Sequence, residues 1–353
     1  MSDVCGAHDR SAHLQAQVQE AQAERRPLEI VGSGSRAGMG LPLGPEAMSV
    51  ADHCGVIDYQ PDELVIRARA GTRLVELEHL LASHGQRFAA EIPAPTAEST
   101  LGGAIACGWD GPGRSLGVSL RDTVLGCRLI NGHGEIVNFG GQVMKNVAGY
   151  DLSRLQVGAL GTLGVILDVA LRLAPLAERH ETRTFAVSPA QLQDWWPRCR
   201  ELRPLLSGSC WYKGHLHLRF SGRAKALDEV LASLGGEPSD FDWSALRDLR
   251  SDFFCAEQLA CLLLPPRTQV EIPQGDILTD WEGARIWVKG GDHEELQQRA
   301  LAEGGFLRVL RGDAVTPVVS APQWHRRIKD AFDPKGVFNP VLFSSHFESG
   351  GEH

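Results

Sequence analysis

The sequence contains no run of about 18 uncharged apolar residues, so no segment is expected to span a bilayer. Its opening residues, MSDVCGAHDRSAHLQAQ, lack a basic stretch followed by an apolar one, and no signal peptide is expected. The eight cysteines (Cys5, Cys54, Cys107, Cys127, Cys199, Cys210, Cys255 and Cys261) include no C-x-x-C pair, which excludes zinc-ribbon, thioredoxin-like and iron–sulfur ligand patterns. Free, mostly buried thiols in a reducing cytoplasm are the expectation. Basic charge is also short: 35 Lys and Arg against 44 Asp and Glu leave a net charge of −9, which speaks against nucleic acid or an anionic membrane as the main partner. No repeat of fixed period occurs.

What remains is an ordinary globular composition, 43% hydrophobic and 22% charged over 353 residues, long enough for about two domains. Glycine is the exception. There are 39, about 11% of the chain against a usual ~7%, and 15 of them fall within residues 98–164. Leu, Val and Ile alternate with them, so the stretch is not low complexity. It reads as backbone brought close to something.

Periodicity predicts helices over Ser11–Ala23 (stripe Leu14, Val18, Ala21), after a Thr72 cap (Leu74, Leu77, Leu80, Leu81), over 223–234, and over Ser320–Phe332 (Trp324, Ile328, Phe332). Strands are predicted at Leu28–Val31, Gly55–Tyr59, Leu64–Ala70 and Val165–Leu173, with a hairpin of Val124–Ile130 and Glu135–Phe139 around Asn131-Gly132. After Pro175 the texture changes: most of the eight tryptophans lie in 178–315. There Trp211–Phe220 alternates as one half-buried strand, with Tyr212, Leu216, Leu218 and Phe220 facing one way. The tail from Ser344 is polar and is expected to be loose.

Ile30-Val31-Gly32-Ser33-Gly34-Ser35-Arg36-Ala37 matches G-x-G-x-x-A after a strand. A dinucleotide fingerprint also needs the loop to open a helix, and Gly38, Gly40, Pro42, Gly44 and Pro45 forbid one. The loop is either an anion nest built from successive N–H groups or a plain turn. Downstream, Ser99 and Thr100 can cap a helix that opens on Gly102-Gly103, as though a ligand lay flat on that backbone. Val143–Asp151 offers a cation, an amide and a phenol, and Gly158–Ile166 is a glycine turn feeding a strand.

Taken together, PLEIVGSGS, PAPTAESTLGG, SLRDTVLG and VMKNVAGYDLSRLQVGALGTLGVI resemble the FAD-binding domain of the vanillyl-alcohol oxidase (PCMH-type) superfamily over about residues 25–175. The closing FDPKGVFNP is similar to the C-terminal signature of flavin-dependent 2-hydroxy-acid dehydrogenases, and the whole is most similar to FAD-binding subunits of bacterial glycolate oxidases. The resemblance implies an α+β fold: a PCMH-type FAD-binding domain of two α/β subdomains (1–175), a smaller α+β cap domain with an antiparallel sheet (176–315), and a C-terminal segment (316–353) returning to the first. It implies that Val31, Gly32, Ser33, Gly34, Ser35 and Arg36 hold the pyrophosphate, and that Pro95, Thr96, Ser99, Thr100, Gly102 and Gly103 line the pyrophosphate and flavin. Gly161, Leu163, Gly164 and Val165 would serve the adenosine end. Lys145, Asn146 and Tyr150 would lie near the isoalloxazine, with Arg121, Asp122 and Asn339 also at the cofactor.

The same resemblance implies work in a complex, beside a second FAD-binding subunit and an iron–sulfur subunit. The expected location is cytoplasmic, peripherally attached to the inner face of the membrane through that complex. Some members of the resembled superfamily attach FAD covalently through a His in the phosphate loop; no His occurs between His13 and His53 here, so the resemblance implies non-covalent FAD. No H-x-G-D-G-N-x-H run occurs; His215-Leu216-His217 is the nearest approach, and no metal is expected. No catalytic residue can be assigned, and the first reading is an FAD-carrying subunit that supports assembly or electron transfer while the sister subunit oxidises the substrate. The alternatives are a self-sufficient D-2-hydroxy-acid dehydrogenase and a flavin-free scaffold. Trp195-Trp196 is a candidate contact with a partner.

Overall fold

The computed structural model describes residues 8–37, 47–141, 151–266, 268, 272 and 275–348. The chain divides into two units: 1–109, 120–175 and 316–353 form the first, and 110–119 with 176–315 the second. The fold is mixed α+β.

In the first unit, helix Ser11–Glu24 buries Leu14, Val18 and Ala21. They pack with Leu28, Ile130, Val165, Leu167, Val337 and Phe338 in one core. Strands β1 (Ile30–Val31) and β2 (Met48–Ser49) pair in parallel. Strands β3 (Val56–Gln60), β4 (Val65–Arg69), β5 (Gln86–Phe88), β6 (Val124–Ile130), β7 (Ile136–Gly140) and β8 (Val165–Pro175) build an antiparallel sheet. Its order is β3-β4-β8-β6-β7, and β5 pairs with the far end of β8. The centre of β8 is buried, including Asp168, which accepts from Arg67 Nε and Arg128 Nε at 2.6 Å each. Two guanidinium partners are what allow a carboxylate in that position.

Several local expectations change. Thr72 caps no helix; its hydroxyl exchanges hydrogen bonds with Gly55, and helix Leu74–Ser83 starts without a side-chain cap. Helix Pro322–Phe332 leaves Trp324 56% exposed and buries Lys329 instead, because polar acceptors rather than a greasy wall face it. The tail is helical over Ser344–Glu348 rather than loose. Cys54 is disulfide-bonded, which corrects the expectation of eight free thiols; Cys107, Cys127, Cys199, Cys210, Cys255 and Cys261 are free. Spacing along the chain cannot show such a pair, since only the fold brings two Cα atoms close enough. Among the described residues no helix is long and apolar enough to cross a membrane.

The second unit carries an antiparallel sheet of β9 (Arg179–Ala186), β10 (Leu206–Tyr212), β11 (His215–Gly222), β12 (Glu237–Pro238), β13 (Leu259–Leu263), β14 (Asp276–Asp280), β15 (Arg285–Lys289) and β16 (Phe306–Arg311). The order is β12-β9-β11-β10-β14-β15-β13-β16. The single strand expected over Trp211–Phe220 is two strands joined at Lys213-Gly214, with φ of 47° and 77°. Positive φ at both central residues is the hairpin turn that suits strand twist. The turn also changes parity. Trp211 pairs with Leu216, so Trp211, not Tyr212, joins Leu216, Leu218 and Phe220 in the core. Trp195 and Trp196 pack against this same core, Trp195 with its ring 4.5 Å from that of Phe185. Segment 110–119 is tied to this unit by Arg285 Nη1 donating to Asp110 O (2.7 Å) and Trp281 Nε1 to Gly111 O (2.9 Å).

Candidate functional site

After β1 the chain enters the Gly32–Arg36 loop, where Gly34 takes φ of 71° and Ala37 N–H returns to Gly34 O at 3.0 Å. The expected absence of a helix over Gly38–Pro45 falls wholly outside the described residues. The loop is fastened from behind. Ser99 Oγ donates to Ser35 Oγ (3.1 Å), and buried Arg36 donates through Nη2 to Pro93 O (2.7 Å). Beside it, Thr100 caps helix Leu101–Cys107 and accepts from Gly103 N at 3.3 Å.

The glycines of this region have separate reasons. A Cβ on Gly32 would lie 2.3 Å from Thr100 Oγ1, and one on Gly102 would lie 2.6 Å from Ala70 Cβ. Both positions are therefore required by protein packing against protein. On Gly103 a Cβ would meet only Thr100 Oγ1 at 3.1 Å and Arg36 Nη1 at 3.4 Å. The turn before β8 has left-handed backbone at Leu160 (φ 54°) and Gly161 (φ 67°), and Gly164 approaches Ile130 O too closely for a side chain (2.7 Å).

These segments line a solvent-connected pocket. Val31, Gly32, Ser33, Gly34, Ser35, Arg36, Thr100, Gly102, Gly103, Gly161 and Gly164 all line it. The remaining wall is apolar: Ile30, Ala37, Leu160 and Ile166 fall within the motifs singled out above, whereas Val50, Ala70, Ala106, Cys107 and Leu342 gave no such signal in the sequence. A glycine loop, a guanidinium and aliphatic side chains in one lining suit an anionic group joined to an apolar one.

The other candidates lie elsewhere. Ser99, Leu163, Val165 and Asn339 are buried behind the lining. Pro95 and Thr96 are outside the lining, and Thr96 is exposed. Arg121 and Asp122 are exposed on the short helix Leu120–Thr123. Lys145, Asn146 and Tyr150 fall outside the described residues. In the second unit His217 stacks on Phe241 (4.1 Å between centroids) and shares a 2.8 Å hydrogen bond with Thr184 Oγ1. Burial and neighbouring His215 push its pKa down to about 4, so it is neutral near pH 7.

Residues 8–140 match the model of an FAD binding domain. The chain is 38% identical to the glycolate oxidase subunit GlcE of Escherichia coli (strain K12), over 94% of this chain and 97% of that protein. It is 32% identical to the glycolate oxidase subunit GlcD of Bacillus subtilis (strain 168), over 45% of this chain and 34% of that protein. A D-lactate dehydrogenase of Archaeoglobus fulgidus is 30% identical over 47% of this chain and 37% of that protein. Among solved structures, an alkyldihydroxyacetonephosphate synthase shares the fold with a TM-score of 0.65 at 17% identity, over 93% of this chain and 74% of that chain.

Proposed function

The chain belongs to the family of glycolate oxidase subunit GlcE and carries an FAD binding domain, and from that premise we propose that it is the FAD-holding subunit of a glycolate oxidase complex. The observation that carries this reading is the match to a subunit along nearly the whole of both chains, 94% and 97%. The likeness to GlcD and to a D-lactate dehydrogenase covers less than half of this chain. The reading makes 1–175 the FAD-binding domain, 176–315 a cap, and 316–353 a returning segment.

The cavity fits the cofactor on the chemistry of its lining. Arg36 and the amides of Gly32–Ser35 suit the diphosphate, Thr100 and Gly103 its neighbouring atoms, and Val50, Ala70, Ile166 and Leu342 a flat ring. No His lies between His13 and His53, so the attachment is non-covalent. When bound, the cofactor would supply a redox carrier for electrons that the sister subunit withdraws from a 2-hydroxy acid. This chain's own residues then bind and orient it: Ser99 and Pro93 O hold the loop that meets the diphosphate, and Thr100 fixes the helix start. The partners are a GlcD-like FAD subunit that binds glycolate or a related 2-hydroxy acid, and an iron–sulfur subunit that receives electrons, in a cytoplasmic complex at the inner membrane face.

Two measurements on purified protein test the reading. Denaturation and filtration should release about one FAD per chain; colourless protein that takes up no FAD would overturn it in favour of a scaffold. Under anaerobic conditions glycolate should bleach the flavin only when the partner subunits are present. Rapid bleaching by glycolate or D-lactate of this chain alone would assign it the self-sufficient dehydrogenase role.

A further inference from the structure

The cavity is walled by two loops far apart in sequence, 30–37 and 160–164, and the residue that joins them lies on neither. Asn339 adopts left-handed backbone (φ 39°) just after the Asp333-Pro334-Lys335-Gly336 turn. Its Oδ1 accepts from Ile30 N–H at 2.8 Å, and its Nδ2 donates to Leu160 O at 2.7 Å. Its own N–H donates to Leu28 O at 2.9 Å. The side chain is 4% exposed and is not part of the lining.

The platform under Asn339 is itself braced. Lys329 Nζ, 167 residues from Thr162, donates to Thr162 O, Asp333 Oδ2 and Phe338 O, each at 2.7 Å, which uses all three ammonium donors. Asp333 in turn accepts from Val337 N (3.1 Å) and Phe338 N (2.8 Å). Leu28 N–H closes the other side on Val337 O at 2.7 Å.

We propose that segment 329–339 is a clamp that sets the spacing of the two cavity walls, with Asn339 as a positioning residue for the cofactor. It acts through Ile30 and Leu160, without touching the cofactor. An amide is the side chain this needs: one end must accept from an N–H and the other must donate to a carbonyl, on a backbone conformation that Asn tolerates. A carboxylate keeps the first bond and sets a negative oxygen against Leu160 O. The proposal rests on the FAD reading above.

The test compares FAD affinity of wild type, Asn339→Asp, Asn339→Gly and Leu77→Ala, by quenching of flavin fluorescence, with unfolding midpoints of each apoprotein. Glycine tolerates the left-handed backbone, so Asn339→Gly removes the clamp without adding strain. Leu77 is fully buried on helix Leu74–Ser83, away from the lining, and serves as a control for general destabilisation. Asn339→Asp should weaken FAD binding by about tenfold or more, the worth of a lost and reversed buried hydrogen bond. Asn339→Gly should do likewise, and amide exchange over 160–164 should quicken in both. Leu77→Ala should lower the unfolding midpoint as much or more with FAD affinity within about twofold of wild type. If the Asn339 variants weaken FAD no more than Leu77→Ala does, the clamp is overturned while the cofactor reading stands. If wild type takes up no FAD, both fall.

Discussion

The hydroxyl oxygen of Thr100 stands 2.3 Å from where a Cβ on Gly32 would lie. The phosphate-type loop and the start of helix Leu101–Cys107 are therefore in close contact at that pair, and the same hydroxyl caps Gly103 N. Gly32→Ala must push the loop outward or displace the cap. Cofactor affinity should fall by about tenfold or more, comparable to losing a cap worth ~1 kcal/mol together with loop strain. Thr100→Ala alone should also weaken binding, yet in the Gly32→Ala background it should cost less, because the clash is gone. Flavin titrations of the four proteins measure that coupling; strictly additive losses would argue against the contact.

Lys329 and Asp333 form a buried ion pair at 2.7 Å, with side chains 7% and 0% exposed. Removing one partner of such a pair leaves the other charge uncompensated, so Lys329→Met should destabilise the protein by about 3–5 kcal/mol. Urea unfolding reads this directly. A loss under about 1 kcal/mol would mean that Asp333 finds other partners.

His217 gives a pH dependence with a definite sign. Its pKa is about 4 in the folded chain, against 6.5 for the free side chain, because of burial and then His215. The unfolded chain therefore binds a proton first. The stability contributed is whole above pH 6.5, declines as pH falls from 6.5 toward about 4, and changes no further below that. His53, whose pKa is lowered by burial, adds in the same direction. Unfolding midpoints between pH 7.5 and 4.5 should show a steeper decline in wild type than in His217→Gln; equal slopes would remove His217 from the account.

The free thiols divide by exposure. Cys127, Cys199 and Cys261 are buried, and burial pushes each thiol's pKa up to about 12. Cys255 is exposed. Iodoacetamide on native protein near pH 8 should alkylate Cys255, while those three react only after unfolding. Mass-spectrometric mapping that finds Cys261 modified as fast as Cys255 would contradict the packing of β13.

Much of the site was legible because its parts are local. A strand before a glycine loop and a Thr cap three residues ahead of Gly103 are both settled within a few residues. Where the sequence was misread, a distant partner intervened. Thr72 has the chemistry of a cap, but Gly55 claims its hydroxyl. Trp211–Phe220 alternates along its length, but a two-residue turn folds it back and exchanges Tyr212 for Trp211 in the core. Gly132 serves the hairpin turn as expected, and packing adds a second reason for it: a Cβ there would lie 2.4 Å from Asp333 Cα.

The glycine surplus shows the division most plainly. The chain by itself determined that backbone must come close to something at Gly32, Gly102, Gly103 and Gly161, since short-range patterns and the missing Cβ are written residue by residue. It could not say to what. The tertiary structure decided that Ala70 fills the space beside Gly102, that Thr100 fills the space beside Gly32, and that Gly103 stays comparatively open at the cavity. It also decided that Asn339, expected at the cofactor from the resemblance, bridges Ile30 and Leu160 across sequence separations of 309 and 179. Those contacts depend on packing between segments that no local pattern relates, and only the folded chain brings them within hydrogen-bonding distance.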